Sequence, residues 1–238
     1  MEAHLYFTLT ADAAHPALLR RYEALLTPED RARRDRFRLE RSKLEHVVTR
    51  ALARDCLSRH ADVPPDAWRF EADANGRPEI VGPERGRRLR FNLTHTEGLV
   101  ACLVATEGEV GVDAEWIDRP GGDLGTLAEQ VFSTAEIAAL RALPEGRRGR
   151  RFFEYWTLKE AFLKARGTGL STPLALFSMV LAPGAPVQIE VQPELGEEPE
   201  RWHFTQHAPT PGHLLATAIR GQRGAPPQIR VERTVPFA

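Results

Sequence analysis

Cysteine is almost missing from this chain: Cys56 and Cys102 are the only two in 238 residues. Both lie in apolar surroundings and read as small core residues of a reducing compartment, so no disulfide framework is expected. A surplus of charge is missing too. Lys and Arg number 32 against 33 Asp and Glu, a formal net charge of -1. No global basic field would draw the chain to nucleic acid or to a membrane surface. There is no run of about 18 apolar residues and no signal-peptide pattern at the start. These absences predict a cytoplasmic protein with no nucleic-acid or membrane partner. What is present is an ordinary globular composition, 42% hydrophobic and 27% charged. The length fits one large domain or two of roughly 110 to 120 residues, enough to bury a core without metal or disulfide staples.

Leu5–Leu9 reads as a strand and Pro16–Leu26 as a helix. Thr27-Pro28-Glu29-Asp30 is a helix start, with Thr as N-cap, Pro at the first helical position and acids in the first turn. Arg31, Arg33, Arg34, Arg36, Arg38 and Arg41 follow, either a solvated face or an anion-binding patch for a phosphate-rich ligand. A helix over Ser42–His60 carries Leu44, Val47, Val48, Ala51, Leu52 and Leu57 on one side. Trp68–Glu71 is a strand candidate, Asn75–Pro78 a turn, and Arg90–Thr96 a strand running into a polar turn. Leu99–Ala105 is a continuous apolar strand of the central kind. Glu107-Gly108 then turns the chain so that Val110–Glu115 is expected to return beside it.

The second half repeats this order. A helix at 150–166 matches the one at 42–60, and strand candidates follow at 176–181, 187–192, 201–207 and 212–219. The fold class expected is α+β, as two similar α+β halves in pseudo-twofold arrangement, 1–108 and 109–238, with a ligand in the cleft between them. Gly121-Gly122 and Pro144-Glu-Gly146 read as loops. The tail from Gly221, rich in Pro, Gly and Arg, reads as partly disordered.

Three stretches carry candidate chemistry. In Val110–Glu115 strand alternation puts Asp113 and Glu115 on one face, about 6.5 to 7 Å apart at Cα. Carboxylates so placed repel each other unless a cation sits between them, and oxygen-only ligands suit Mg²⁺ or Mn²⁺. The alternative is a solvated strand face. Over Trp156–Gly167 a helical period stacks Phe153, Glu160 and Lys164 into one stripe flanked by Trp156 and Leu163. A carboxylate buried among rings needs a positive partner, and Lys164 at i+4 is in reach, although a plain structural Glu–Lys pair has the same spacing. Gly167 is a C-cap candidate. Asn92-Leu-Thr-His-Thr96 offers donors for phosphate oxygens around His95, which otherwise reads as a turn or core histidine. Arg77 beside Pro78 is a cation fixed by a turn.

The stretches F-N-L-T-H-T (91–96), G-V-D-A-E (111–115) and W-T-L-K-E-A-F-L-K-A-R-G-T-G-L (156–170), in this order, resemble the 4′-phosphopantetheinyl transferases. The similarity is to their monomeric type, which activates nonribosomal peptide and polyketide synthases. The resemblance implies coenzyme A as co-substrate, Mg²⁺ as cofactor (Mn²⁺ in its place), and an acyl or peptidyl carrier protein as partner. It implies that Asp113, Glu115 and Glu160 hold the metal and that Glu160 or a water takes the proton of the carrier serine. Lys164 would act on the α-phosphate side. His95 and Thr94 would meet the pyrophosphate, Arg77 the nucleotide and Arg33 the 3′-phosphate; Lys159 is also placed among the coenzyme A contacts. Glu45 stands where several members carry an Arg for the 3′-phosphate, which hands that contact to Lys43 or Arg50. Two other classes stay open: a Mg²⁺-dependent nucleotide hydrolase using the same acids, and a nucleic-acid-binding module on the Arg-rich helix. The near-zero net charge speaks against the module. Arg147–Arg151 reads as a docking segment for an acidic carrier protein or as an ordinary charged loop.

Overall fold

The computed structural model describes residues 1–119 and 122–238, the side chain of Leu170 excepted. In chain order these residues form β1 (Glu2–Leu9), α1 (Pro16–Ala24), α2 (Pro28–Asp35), α3 (Glu40–His60), β2 (Arg69–Ala72), β3 (Pro78–Gly82), β4 (Arg90–Thr96) and β5 (Leu99–Ala105). Then come β6 (Glu109–Trp116), α4 (Leu124–Val131), α5 (Thr134–Arg141), α6 (Glu145–Arg166), β7 (Phe177–Val180), β8 (Gln188–Val191), β9 (Trp202–Thr210), β10 (His213–Arg220) and β11 (Gln228–Arg233).

Local chemistry explains the boundaries. The Thr27 hydroxyl accepts the Asp30 N–H while the Asp30 carboxylate accepts the Thr27 N–H. This capping box starts α2 and contributes about 1 kcal/mol. α6 stops at Gly167, whose φ of 69° lies in the left-handed region that a side chain disfavours. α3 buries Val47, Val48, Ala51, Leu52, Cys56 and Leu57 along its core side.

The chain divides into two compact units, residues 1–108 with 228–238, and residues 109–227. In the first, the sheet order is β11-β1-β5-β4. β5 lies antiparallel to both neighbours, with Leu5 opposite Leu103 and Leu93 opposite Cys102. α3 covers this sheet, and Val48, Leu52 and Cys56 join Tyr6, Val100, Cys102 and Val104 in one core. In the second unit the order is β6-β10-β9, all antiparallel. α6 covers that sheet, and Phe152, Phe162, Trp202, Phe204, Ala216 and Ala218 share its core. Each unit thus runs strand, helix, small hairpin, strand, strand, and its first strand pairs with its last. The fold class is α+β.

Four expectations need correction. β6 does not return beside β5: both edges of β5 are already taken by β1 and β4, so β6 pairs with β10 instead. The tail carries a strand, and its residues 228–238 belong to the first unit, not to a half running from 109 to 238. β11 pairs parallel to β1, Tyr22 donates its hydroxyl to Pro236 O, and the Phe237 ring packs on Tyr22 and under Arg21. Glu145 and Gly146, read as part of a loop, lie in the first turn of α6. Thr94 and His95 lie within β4, not in a turn after it. Gly121 of the expected Gly-Gly loop lies outside the described residues. Among those residues no helix is long and apolar enough to cross a membrane.

Candidate active site

The site is built where α6 crosses the sheet of the second unit. Strand alternation turns Gly111, Asp113 and Glu115 to the face that α6 covers, because their partners Ala218, Ala216 and Leu214 belong to the α6 core. The crossing is close. A Cβ on Gly111 would stand 2.0 Å from Ala161 O and 2.5 Å from Ala165 N, so only glycine fits there. That approach carries the Asp113 and Glu115 carboxylates to the side chains of the next turns of the helix.

Lys164 Nζ lies 2.6 Å from Asp113 Oδ1 and 3.1 Å from Val112 O. Glu115 accepts the Trp156 indole N–H on Oε1 at 2.9 Å and the Arg119 guanidinium on Oε2 at 3.0 Å. Arg119 in turn lies over the Phe153 ring, 5.0 Å from its centroid. Glu160 Oε1 is buried with no hydrogen-bond partner. Burial pushes the Glu160 carboxyl up to about 7; the Asp113 and Glu115 charges add to the rise and Lys164 opposes it. Burial also raises Glu115, with Asp113 adding and Arg119 opposing. Asp113, Glu115, Glu160 and Lys164 therefore share one electrostatic neighbourhood; the sequence spacing pairs Asp113 with Glu115 and Glu160 with Lys164, and only the family resemblance implied that the two pairs meet. Two of its members were not legible as such: Arg119, four residues beyond Glu115, and Trp156, foreseen only as a flank of the stripe.

Among the described residues no three His, Cys, Asp or Glu side chains are grouped tightly enough to hold a metal ion as they stand. The donor chemistry nevertheless fits a hard divalent cation. The acids are all oxygen donors, they raise one another's proton affinity, and one buried Glu160 oxygen has nothing to bind.

Lys159 is not part of this cluster, which corrects its assignment to coenzyme A. One helical step of about 100° turns it away from Glu160 into the core. Its side chain is 0% exposed, with Nζ 2.8 Å from Glu136 Oε2 and 2.7 Å from Phe177 O. Glu136 also accepts the Ser133 and Met179 N–H groups, so the pair joins α5, α6 and β7.

The first unit holds the other predicted residues. Arg50 pairs with Asp30 at 2.9 Å, and His46 Nε2 lies 3.0 Å from Asp30 O. Burial lowers the proton affinity of His46, and the charges of Arg50 and, less strongly, Arg33 lower it further. Arg33 and Arg50 thus flank one histidine at the α2–α3 junction. Lys43 pairs with Glu40 at 2.6 Å. Glu45 is buried, which raises its carboxyl, while the Gly98 N–H opposes the rise. Arg77 reaches β4, with Nη2 3.5 Å from Phe91 O. On β4, His95 is opposite Val100 on the α3 face, whereas Thr94 is buried opposite Ala101 on the other face. Alternation along the strand therefore separates them, and the single donor surface expected of them is corrected.

Two α+β units of matching strand order, one with a carboxylate–lysine cluster between helix and first strand, define a duplicated α+β class with one charged site. Residues 109–218 match the 4′-phosphopantetheinyl transferase superfamily and residues 15–108 the 4′-phosphopantetheinyl transferase N-terminal family. The 4′-phosphopantetheinyl transferase HetI of Nostoc sp. strain PCC 7120 is 30% identical over 198 residues, 83% of this chain and 80% of its own. The 4′-phosphopantetheinyl transferase Sfp of Bacillus subtilis strain 168 is 28% identical over 172 residues, 72% of this chain and 73% of its own. A solved chain from a Chronobacterium ammoniagenes ACPS–CoA complex covers 49% of this chain and 99% of its own at 21% identity. Its TM-score is 0.36, too slight a likeness to argue from. The chain belongs to the 4′-phosphopantetheinyl transferase superfamily. It is a transferase, and the group it moves is phosphopantetheine.

Proposed function

We propose that this chain moves 4′-phosphopantetheine from coenzyme A to a serine of an acyl or peptidyl carrier protein of a polyketide or nonribosomal peptide synthase, with Mg²⁺ as cofactor. The observation that carries this reading is the gathering of Asp113, Glu115, Glu160 and Lys164 at one helix–strand crossing of a family member.

In the reaction the serine Oγ bonds to the phosphorus that bears the pantetheine arm. The bond from that phosphorus to the bridging oxygen breaks, and adenosine 3′,5′-bisphosphate leaves. Such a transfer needs positioning and neutralisation of charge more than covalent help. Asp113, Glu115 and Glu160 would hold Mg²⁺, which supplies Lewis-acid polarisation and charge neutralisation at the pyrophosphate. Lys164 would bring its ammonium group to the leaving side. Beside the cation Glu160 would stand ionised, and either it or a water would take the serine proton. Arg33 and Arg50 offer guanidinium groups for the 3′-phosphate, and Arg77 one for the nucleotide.

Product analysis tests the proposal. Apo carrier protein, coenzyme A, Mg²⁺ and this chain should give holo carrier protein and adenosine 3′,5′-bisphosphate in equal amounts. Bisphosphate or free phosphopantetheine formed equally well without carrier protein would mean a hydrolase.

A further inference from the structure

Glu115 is the one acid of the cluster with both oxygens engaged by unlike donors. Trp156 holds Oε1 with a neutral N–H from α6, and Arg119 holds Oε2 with a charged group from beyond the end of β6. The two differ in freedom as well as in charge. Trp156 is half-buried, and its indole lies alongside the buried Phe152 ring, 6.5 Å between centroids and 15° from parallel. Its N–H is thus aimed by packing. The Arg119 side chain is 42% exposed and kept in place by the Phe153 face and by Glu115 itself.

We propose that Trp156 is the positioning residue that orients the Glu115 carboxylate for a divalent cation, and that Arg119 is the counter-charge the cation must displace or outbid. This inference rests on the metal reading of the acids. A neutral donor that fixes a ligating carboxylate raises cation affinity, because the orientation is already set when the ion arrives. A neighbouring guanidinium lowers it, because like charges meet across the same carboxylate. The two contacts look alike as hydrogen bonds but work in opposite directions, so their removal should change affinity with opposite signs.

The test is Mn²⁺ binding to the full chain without coenzyme A or carrier, read as free Mn²⁺ by electron paramagnetic resonance. Trp156→Phe keeps the ring and loses the N–H; it should bind Mn²⁺ about tenfold or more weakly. Arg119→Met keeps a flexible stem on the Phe153 face and loses the charge; it should bind severalfold more tightly. Thermal unfolding of both variants without cation establishes that they are folded. Arg119 sits at the surface, so its variant carries the test if Trp156→Phe does not fold. Unchanged affinity in Trp156→Phe, or weaker binding in Arg119→Met, overturns the proposal. No Mn²⁺ binding by the unaltered chain overturns the metal reading instead.

Discussion

The two units use one plan for different ends, and the contrast is sharpest on their first strands. β1 pairs antiparallel with β5 and β6 with β10, and each turns one face to the long helix. On β1 the side chains sharing the α3 face are His4, Tyr6 and Thr8; Tyr6 donates to or accepts from His60, and Thr8 donates to Thr234 O. Every polar group there is tied to structure, and the β1 edge is covered by β11. On β6 the matching face holds Gly111, Asp113 and Glu115, the helix comes in over a missing side chain, and β6 stays at the edge of its sheet. The same repeat therefore closes a core in one unit and gathers charge in the other. A glycine that lets the helix approach and two acids in register with it make the difference.

The strongest way to break this contrast is to empty it. Asp113→Ala should reduce carrier modification by about 1,000-fold or more, about 4 kcal/mol of transition-state stabilisation, with the circular dichroism spectrum unchanged. Lys159→Met acts on the buried side of the same helix. It leaves Glu136 with an unmatched buried charge, and chemical denaturation should show a loss of about 3 to 5 kcal/mol. The double variant Glu136→Gln/Lys159→Met should recover much of that loss.

Gly111→Ala tests whether the close crossing matters. The new methyl meets helix backbone, which cannot swing aside, so about 1 to 3 kcal/mol of stability should go. The displacement of α6 should cost about 100-fold in turnover.

A pH series sharpens the electrostatic side. The Glu160 carboxyl is raised from 4.5 to about 7 in the folded, cation-free chain. The native state then holds a proton that the unfolded state releases, so this group's contribution is intact below pH 4.5 and lost as pH rises through about 7. Chemical denaturation should show Glu160→Gln matching the unaltered chain near pH 4.5 and exceeding it at pH 8. Mg²⁺ should shrink the gap. The smallest effect is expected in the first unit. Arg33→Ala should raise KM for coenzyme A about tenfold, near 1.4 kcal/mol, and leave dephospho-coenzyme A almost unchanged.

Much of this was legible in the residues because it rests on local rules. The Thr27 cap, the Gly167 stop, the strand alternation of Asp113 and Glu115 and the helical stripe of Glu160 and Lys164 each involve neighbours within one or two turns. What was not legible depended on distant partners. β6 follows β5 after a short turn, yet pairing was settled by β1 having already taken that edge. β11 looked too rich in Arg to be structural, but it needs only a backbone partner, which β1 supplies. Lys159 stands next to Glu160 in the sequence and looks like its companion; the helix sends it the opposite way, to an acid 23 residues earlier. Cys56 and Cys102 are buried and free, as their apolar surroundings suggest.

The most direct measurement is the intact mass of an apo carrier protein after incubation with coenzyme A and this chain, run with Mg²⁺ and again with a chelator. The carrier should gain one phosphopantetheine with the cation present and none without it. An equal gain in chelator would show that Asp113, Glu115 and Glu160 are not gathered for a divalent ion.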